Sequence, residues 1–220
     1  LFVKVINLLK RLVDETLNFG THIESISKKA LSTLFIILRN IHCCDPGIMV
    51  KLYKTYVLPQ LEYASPIWNH HLKKHIQILE KVQKVFTRIV FFKCFRKAKR
   101  TQTLPPYQAR LKLLKLKSLK ERRVINDLTF CFRILRKEVK LRASKYWVFR
   151  PTGLRSGGFG IDYHITGRRK YLTVFNSFFF RVARWLRLLP SDVMSSSNSR
   201  IFRKKLIKMD ILSVLNISDV

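Results

Sequence analysis

Leu72-Lys-Lys-His-Ile-Gln-Ile-Leu-Glu-Lys-Val-Gln-Lys-Val-Phe-Thr-Arg-Ile-Val-Phe-Phe92 is the stretch from which the fold class is read. Turned through about 100° per residue, Ile76, Ile78, Leu79, Val82, Val85, Phe86, Ile89 and Val90 gather on one half of a cylinder. Lys73, Lys74, Lys81, Lys84 and Arg88 share a separate narrow arc. The period is that of an amphipathic helix with an apolar side for a core. Most helical charge runs are solvated faces, but acidic partners at i+4 spacing are nearly absent here. The cationic arc is therefore a candidate nucleic-acid surface.

Helical punctuation recurs on both sides of this stretch. Thr21-His22-Ile23-Glu24 has the pattern of a capping box and predicts a helix of about two dozen residues or fewer, with Ile23, Ile26, Ala30, Leu34 and Ile37 or Leu38 inside. Asp45-Pro46 predicts the next start, Pro59 a stop or kink, and Leu61 to Trp68, interrupted by Pro66, a connection. Ser118-Leu119-Lys120-Glu121 is a second capping box. It opens a helix to about Lys140 that buries Val124 or Ile125, Leu128, Cys131 or Phe132, Leu135 and Val139. Gly153, Gly157, Gly158, Gly160 and Gly167 break the pattern over residues 150–170, which reads as a loop with a short extended segment. A helix from about Leu172 to Leu188, stopped by Pro190, a Ser-rich link over Ser191 to Ser199 and a last helix over Arg200 to Ile211 complete the chain. The expected fold is mainly α: a small helical bundle, then a second helical region with an irregular Gly-containing loop.

Charge sets the class of partner. Across 220 residues, 44 Lys and Arg face 13 Asp and Glu, a formal net charge of +31 that repels itself unless a polyanion is present. Nucleic acid is the first candidate, because each neutralised phosphate releases condensed counterions. An acidic membrane surface is the second, although no apolar run approaches the roughly 20 residues of a spanning helix. The opening Leu1-Phe2-Val3-Lys4-Val5 has no initiator Met and no signal-peptide pattern, as expected of a chain that begins inside a longer reading frame. Cys43, Cys44, Cys94 and Cys131 form no C-x-x-C pair, so a reducing, intracellular setting is expected.

The candidate nucleic-acid-binding residues are Lys73, Lys74, Lys81, Lys84 and Arg88, then Lys93, Arg96, Lys97, Lys99 and Arg100 of a basic linker, and Arg122 and Arg123. Phe91, Phe92 and Phe95 beside the linker are candidates for base stacking. No catalytic residue is expected. Among the acids only Asp14-Glu15 are adjacent, no Asp-Asp or D-x-D occurs, and Glu24, Asp45 and Glu121 read as helix caps. His71 and His75 share a helix face but lack further ligands at short spacing, so no metal and no cofactor is assigned. No Walker loop, G-x-S-x-G or dinucleotide fingerprint is present.

Ordered strings carry a resemblance. Leu12-Val-Asp-Glu-Thr-Leu-Asn-Phe-Gly-Thr-His-Ile-Glu-Ser-Ile-Ser-Lys-Lys-Ala30 is similar to the stretch that follows the palm in reverse transcriptases of non-LTR, LINE-type (Jockey-like) retrotransposons. Leu52-Tyr53, Val57, Pro59, Leu61-Glu62-Tyr63-Ala64-Ser65 and Trp68 resemble that family's "LY…V-x-P-x-LEYAS-x-x-W". Glu80, Val82-Gln83 and Phe86-Thr87-Arg88 resemble "E-x-VQ-x-x-FTR", and Tyr107, Arg110-Leu111, Ser118-Leu119, Arg122-Arg123 and Asp127-Leu128 continue the series. Phe178 to Arg181, Leu189-Pro190, Phe202 and Leu206 are like its closing part. The paired-Asp motif of the palm is absent, as is a CCHC knuckle, and Leu8-Leu9-Lys10-Arg11 and His70 depart from the family pattern.

The resemblance implies a C-terminal piece of an RNA-directed DNA polymerase. Residues 1–20 would be the remnant of the palm-to-thumb junction, 21–92 the thumb-like bundle, 93–105 the basic linker, 106–149 a helical hairpin region, 150–170 the loop and 171–220 the C-terminal helices. Such a piece would hold RNA and RNA–DNA or DNA duplex beside the palm and fingers of the same polyprotein. The Mg2+ would belong to the parent enzyme, and the setting would be the nucleus or a cytoplasmic ribonucleoprotein. A stand-alone basic helical RNA-binding or assembly protein, and a degenerate relic, are the alternatives.

Overall fold

The computed structural model describes residues 6–8, 11–13, 19–42, 44–69, 72–95, 103–145, 147–149, 161–163 and 177–217. The fold is mainly α, and the chain divides into two compact units, Leu1–Ala64 with His70–Lys120 and Ser65–Asn69 with Glu121–Val220.

In the first unit, β1 (Ile6–Leu8) pairs antiparallel with β2 (Arg11–Val13), Ile6 opposite Val13, in a region for which the sequence suggests no strand. α1 (Gly20–Asn40) buries Ile23, Ser27, Ala30, Leu34 and Leu38, the three- and four-residue spacing of a single helix face, with Ile26 and Ile37 half-buried beside it. The expected capping box does not form. Helical bonding already starts at the Phe19 carbonyl, which accepts from Ile23 N–H at 2.9 Å, so Thr21 lies inside the first turn and no side chain caps it. α2 (Pro46–Leu52) starts as expected: Asp45 Oδ1 accepts from Gly47 N–H, and Pro46 takes a first-turn position that needs no donor.

Pro59 kinks the chain without stopping it. A π-helical turn over Tyr53–Val57, closed by Leu58 N–H on the Tyr53 carbonyl, leads into α3 (Leu58–Glu62). The wider turn lies where the proline ring would otherwise press on the carbonyl four residues back. The run ends at Ala64, whose φ of 49° is left-handed. α5 (Lys73–Val90) follows the short α4 (Ser65–Trp68) and continues into a second π-helical turn, Phe91–Phe95. α6 (Tyr107–Leu113) and the first residues of α7 (Leu119–Leu135) close the unit, so α6 clusters with the bundle rather than with a separate hairpin region. Residues 96–102 of the expected linker lie outside the described residues.

Three helices end in the same way, each on a left-handed residue other than glycine. After α6, Lys115 has φ 50°, Leu116 N–H reaches Leu111 O at 2.9 Å and Lys115 N–H reaches Lys112 O at 3.1 Å, with Leu111 and Leu116 both buried. Lys137 (φ 57°) does this for α7, and the Arg133–Glu138 ion pair at 3.3 Å bridges the same positions. That is why α7 stops at Leu135 and not near Lys140. Asn216 closes the final helix, α11 (Ile211–Val214), likewise.

The second unit has one core. Val124, Ile125, Leu128, Cys131, Phe132 and Ile134 of α7 meet Val182, Ala183 and Leu186 of α8 (Phe178–Leu186), Phe202 and Leu206 of α10 (Ser199–Lys208), and Ile211 and Leu212 of α11. Phe132 and Phe202 stack with centroids 4.2 Å apart. Trp147 of β3 (Trp147–Phe149), paired antiparallel with β4 (Ile161–Tyr163), is buried there, and its Nε1–H donates to Phe179 O at 2.9 Å. β4 falls in the expected 150–170 loop; the rest of that loop and the expected helix start at Leu172 lie outside the described residues. The Ser-rich link contains α9 (Ser191–Met194), and Asn198 Oδ1 caps α10 by accepting from Ile201 N–H at 2.9 Å.

Phe202→Ala opens the centre of this core and is expected to cost about 3–5 kcal/mol in urea unfolding. Lys115→Gly relieves a left-handed side chain and is expected to stabilise by up to about 1 kcal/mol in the same assay; a loss of stability would show that Lys115 is not strained there.

Candidate nucleic-acid interface

α5 turns three sides to three environments. Ile76, Leu79, Val82, Phe86 and Val90 are buried, and α5 lies along α1. Glu80, Gln83 and Thr87 are also buried, at 1% exposure or less, and recur at i, i+3 and i+7. Lys73, Lys74, Lys81 and Arg88 are exposed, and Lys84 is half-buried at their edge. Ile78, Val85 and Ile89, expected in the core, are only half-buried because the polar stripe takes the place they would need.

The polar stripe is what holds the helix in register. Glu80 Oε2 accepts from the Tyr107 hydroxyl at 2.6 Å, and Oε1 accepts from Lys120 N–H in the first turn of α7 at 2.7 Å. A carboxylate from one helix thus caps the start of another, where the amides and the dipole favour negative charge. Gln83 completes the cluster: its Oε1 accepts from the Tyr53 hydroxyl at 3.0 Å, and its Nε2 donates to the Lys117 carbonyl at 2.9 Å and to the Tyr107 hydroxyl at 3.2 Å. Tyr53 in turn stacks on Phe86 with centroids 4.2 Å apart. Burial, and then the adjacent Glu80 carboxylate, push the Tyr107 hydroxyl far above its ordinary range, so it stays a donor.

Cations surround this anchor. Lys84 Nζ lies 5.2 Å from the centre of the Tyr107 ring, and the buried Arg110 guanidinium lies 5.8 Å from it. Burial lowers the Arg110 pKa; the neighbouring Tyr107 opposes that shift, and the like charge of Arg88 adds to it. Glu80 is the one acidic residue in α5, and it faces inward. Among the described residues, no carboxylate forms an ion pair with Lys73, Lys74, Lys81, Lys84 or Arg88. From Lys73 to Arg88 the exposed cations run about 22 Å along the helix.

The other candidate residues separate. Lys93 is committed to the fold: its Nζ donates to Leu38 O at 2.8 Å and Ile41 O at 3.3 Å and so caps the end of α1. Arg123 is 1% exposed, which removes it from any surface contact and corrects its assignment; Arg122 is half-buried. Arg96, Lys97, Lys99 and Arg100 lie outside the described residues. Phe91 is buried and packs against Phe92 and Phe95 at 6.0 Å each, so it is a core residue and not a stacking platform.

In the second unit the corresponding polar centre is Asp127, with no exposed surface. Its Oδ2 accepts from Asn69 Nδ2 at 2.7 Å and pairs with Arg181 Nε and Nη2 at 3.0 Å each. Arg181 also donates to the carbonyls of Asn69 and Pro66, which fastens the short α4 segment within the unit. Burial raises the Asp127 pKa, and Arg181, Asn69 and Arg123 oppose that shift. Cys131 is buried and its thiol is pushed up, first by burial and then by Asp127, which makes it an inert core residue.

The chain is similar to uncharacterized protein B0403.1 of Caenorhabditis elegans. They are 32% identical over 130 residues, which is 59% of this chain and 63% of that protein, so the chain spans less than two thirds of its relative's length. No family model matches the chain, and no solved structure does.

Among the described residues, no three His, Cys, Asp or Glu side chains group to hold a metal ion, and no helix is long and apolar enough to cross a membrane. Mg2+ wants several oxygen ligands. Both oxygens of Glu80 already accept from protein donors, and Asp127 offers a single unpartnered oxygen, Oδ1, beside the Arg181 ion pair, so they do not fit that role.

Tyr107→Phe leaves Glu80 and Gln83 short of a partner and is expected to cost about 1–3 kcal/mol of stability, read by urea unfolding. Asp127→Ala strands the buried Arg181 guanidinium and is expected to cost about 3–5 kcal/mol in the same measurement. A change within experimental error in either variant would contradict the anchoring roles given to these networks.

Proposed function

We propose that this chain is a C-terminal, thumb-and-downstream piece of a non-LTR retrotransposon RNA-directed DNA polymerase, which holds template–primer duplex through α5 and carries no polymerase active site of its own. The observation that carries the reading is the division of α5 itself. The residues of the family-like string Glu80, Gln83 and Thr87 are buried, while Lys81 and Arg88 beside them are exposed, Lys84 is half-buried over the Tyr107 ring, and none of the three pairs with a carboxylate among the described residues. Phosphate contacts of this kind set grip and position on a duplex and read no sequence. The palm and fingers of the same polyprotein would supply the chemistry and its Mg2+.

Nucleic acid is favoured over a membrane as the partner because the apolar side of α5 is already buried against the bundle. An interfacial helix needs that side free for lipid.

Filter binding of an RNA–DNA duplex across salt tests the proposal. Replacing Lys73, Lys81, Lys84 and Arg88 together by Gln is expected to weaken binding and to lower the salt slope by about 3 to 4. Unchanged affinity and slope in the quadruple variant would overturn it.

A further inference from the structure

α10 carries five basic residues and no acid, and the fold divides those five into two classes. Arg203 Nη1 donates to Asn126 Oδ1 at 2.8 Å, and Lys205 donates to the Asp192 carbonyl and lies 3.9 Å from its carboxylate, so both are committed to the unit. Arg200, Lys204 and Lys208 are exposed and have no protein partner among the described residues. These three recur at i, i+4 and i+8, which sets them in one row with about 6 Å between successive positions. The nearby carboxylates are engaged elsewhere: Glu138 with Arg133 and the Ser199 hydroxyl, Asp192 with Lys205, and Asp210 with Ser213 N–H at the start of α11.

We propose that Arg200, Lys204 and Lys208 form a second phosphate-contacting surface, which binds the backbone of a nucleic-acid strand independently of α5. Like charges one turn apart repel each other along the row, and a line of phosphates relieves that repulsion. Charge alone would suit an anionic membrane equally well; the packing decides between them. A helix that lies in a membrane interface inserts its apolar side. In α10 that side is Phe202 and Leu206, both 0% exposed in the core of the unit, which leaves Ile201 and Ile207 at the margins of the cationic row. The surface is thus built for contact with a hydrated polyanion.

The full chain with R200Q, K204Q and K208Q together, compared with the charge-retaining R200K, K204R and K208R variant, tests this by fluorescence anisotropy on a short RNA–DNA duplex from about 50 to 200 mM salt. Circular dichroism confirms that each variant folds. The triple Gln variant is expected to lower the salt slope by about 2 to 3, and the charge-retaining variant to keep the wild-type slope. An unchanged slope in the Gln variant, or a loss confined to binding of phosphatidylserine vesicles, overturns the proposal. The α5 variant is titrated alongside: a slope that falls with the α10 changes and not with the α5 changes supports this surface while refuting the α5 grip. The converse refutes this surface alone.

Discussion

A single buried carboxylate organises the first unit. Glu80 sits on the apolar side of α5 at 1% exposure and accepts from the Tyr107 hydroxyl and from the backbone at the start of α7. Burying a charge is costly unless hydrogen bonds replace its water, and here both oxygens are satisfied, one by an amide at a helix N-terminus. That requirement fixes the rotation of α5. With Glu80 inward, Gln83 and Thr87 must follow on the same side, and Lys74, Lys81 and Arg88 must face out, while Lys73 is exposed as the first residue of the helix. The cationic face is thus a geometric consequence of the polar anchor. The second unit also holds a buried carboxylate, but there only Oδ2 of Asp127 is paired, with Asn69 and Arg181, and the pair with Arg181 fastens the α4 segment in place of a helix start.

Cations in this chain fall into two populations that composition does not distinguish. Lys93, Arg181, Arg203 and Lys205 donate to carbonyl or carboxylate oxygens of the fold, and Arg123 is buried. The rows on α5 and α10 have no such partner among the described residues. A formal charge of +31 therefore overstates the surface offered to a polyanion, and the two helical rows are part of an exposed set that also includes Lys28, Lys29, Lys51, Lys54, Lys112 and Lys140.

Much of the helical framework was legible from periodicity. The Asp45-Pro46 start, the α1 face and the α7 face of Val124, Leu128 and Phe132 emerge at three- and four-residue spacing, as hydrophobic burial dictates. Ends were less legible. The Thr21 box is pre-empted because bonding begins at Phe19, and α7 ends early on Lys137, a left-handed position that no glycine marks. The polar anchor is hidden because Glu80 reads as one more charge among lysines; its signal is the i, i+3, i+7 spacing with Gln83 and Thr87. Arg122-Arg123 misleads for the opposite reason, since a basic pair in sequence does not reveal which member turns inward.

Residue-resolved lysine acetylation on the intact chain, with and without an RNA–DNA duplex, tests the central claim most directly. The account predicts that duplex protects Lys73, Lys74 and Lys81 while Lys28 and Lys29, exposed on α1, keep their reactivity. Equal reactivity of the α5 lysines in both states, or protection spread evenly over every exposed lysine, would contradict it.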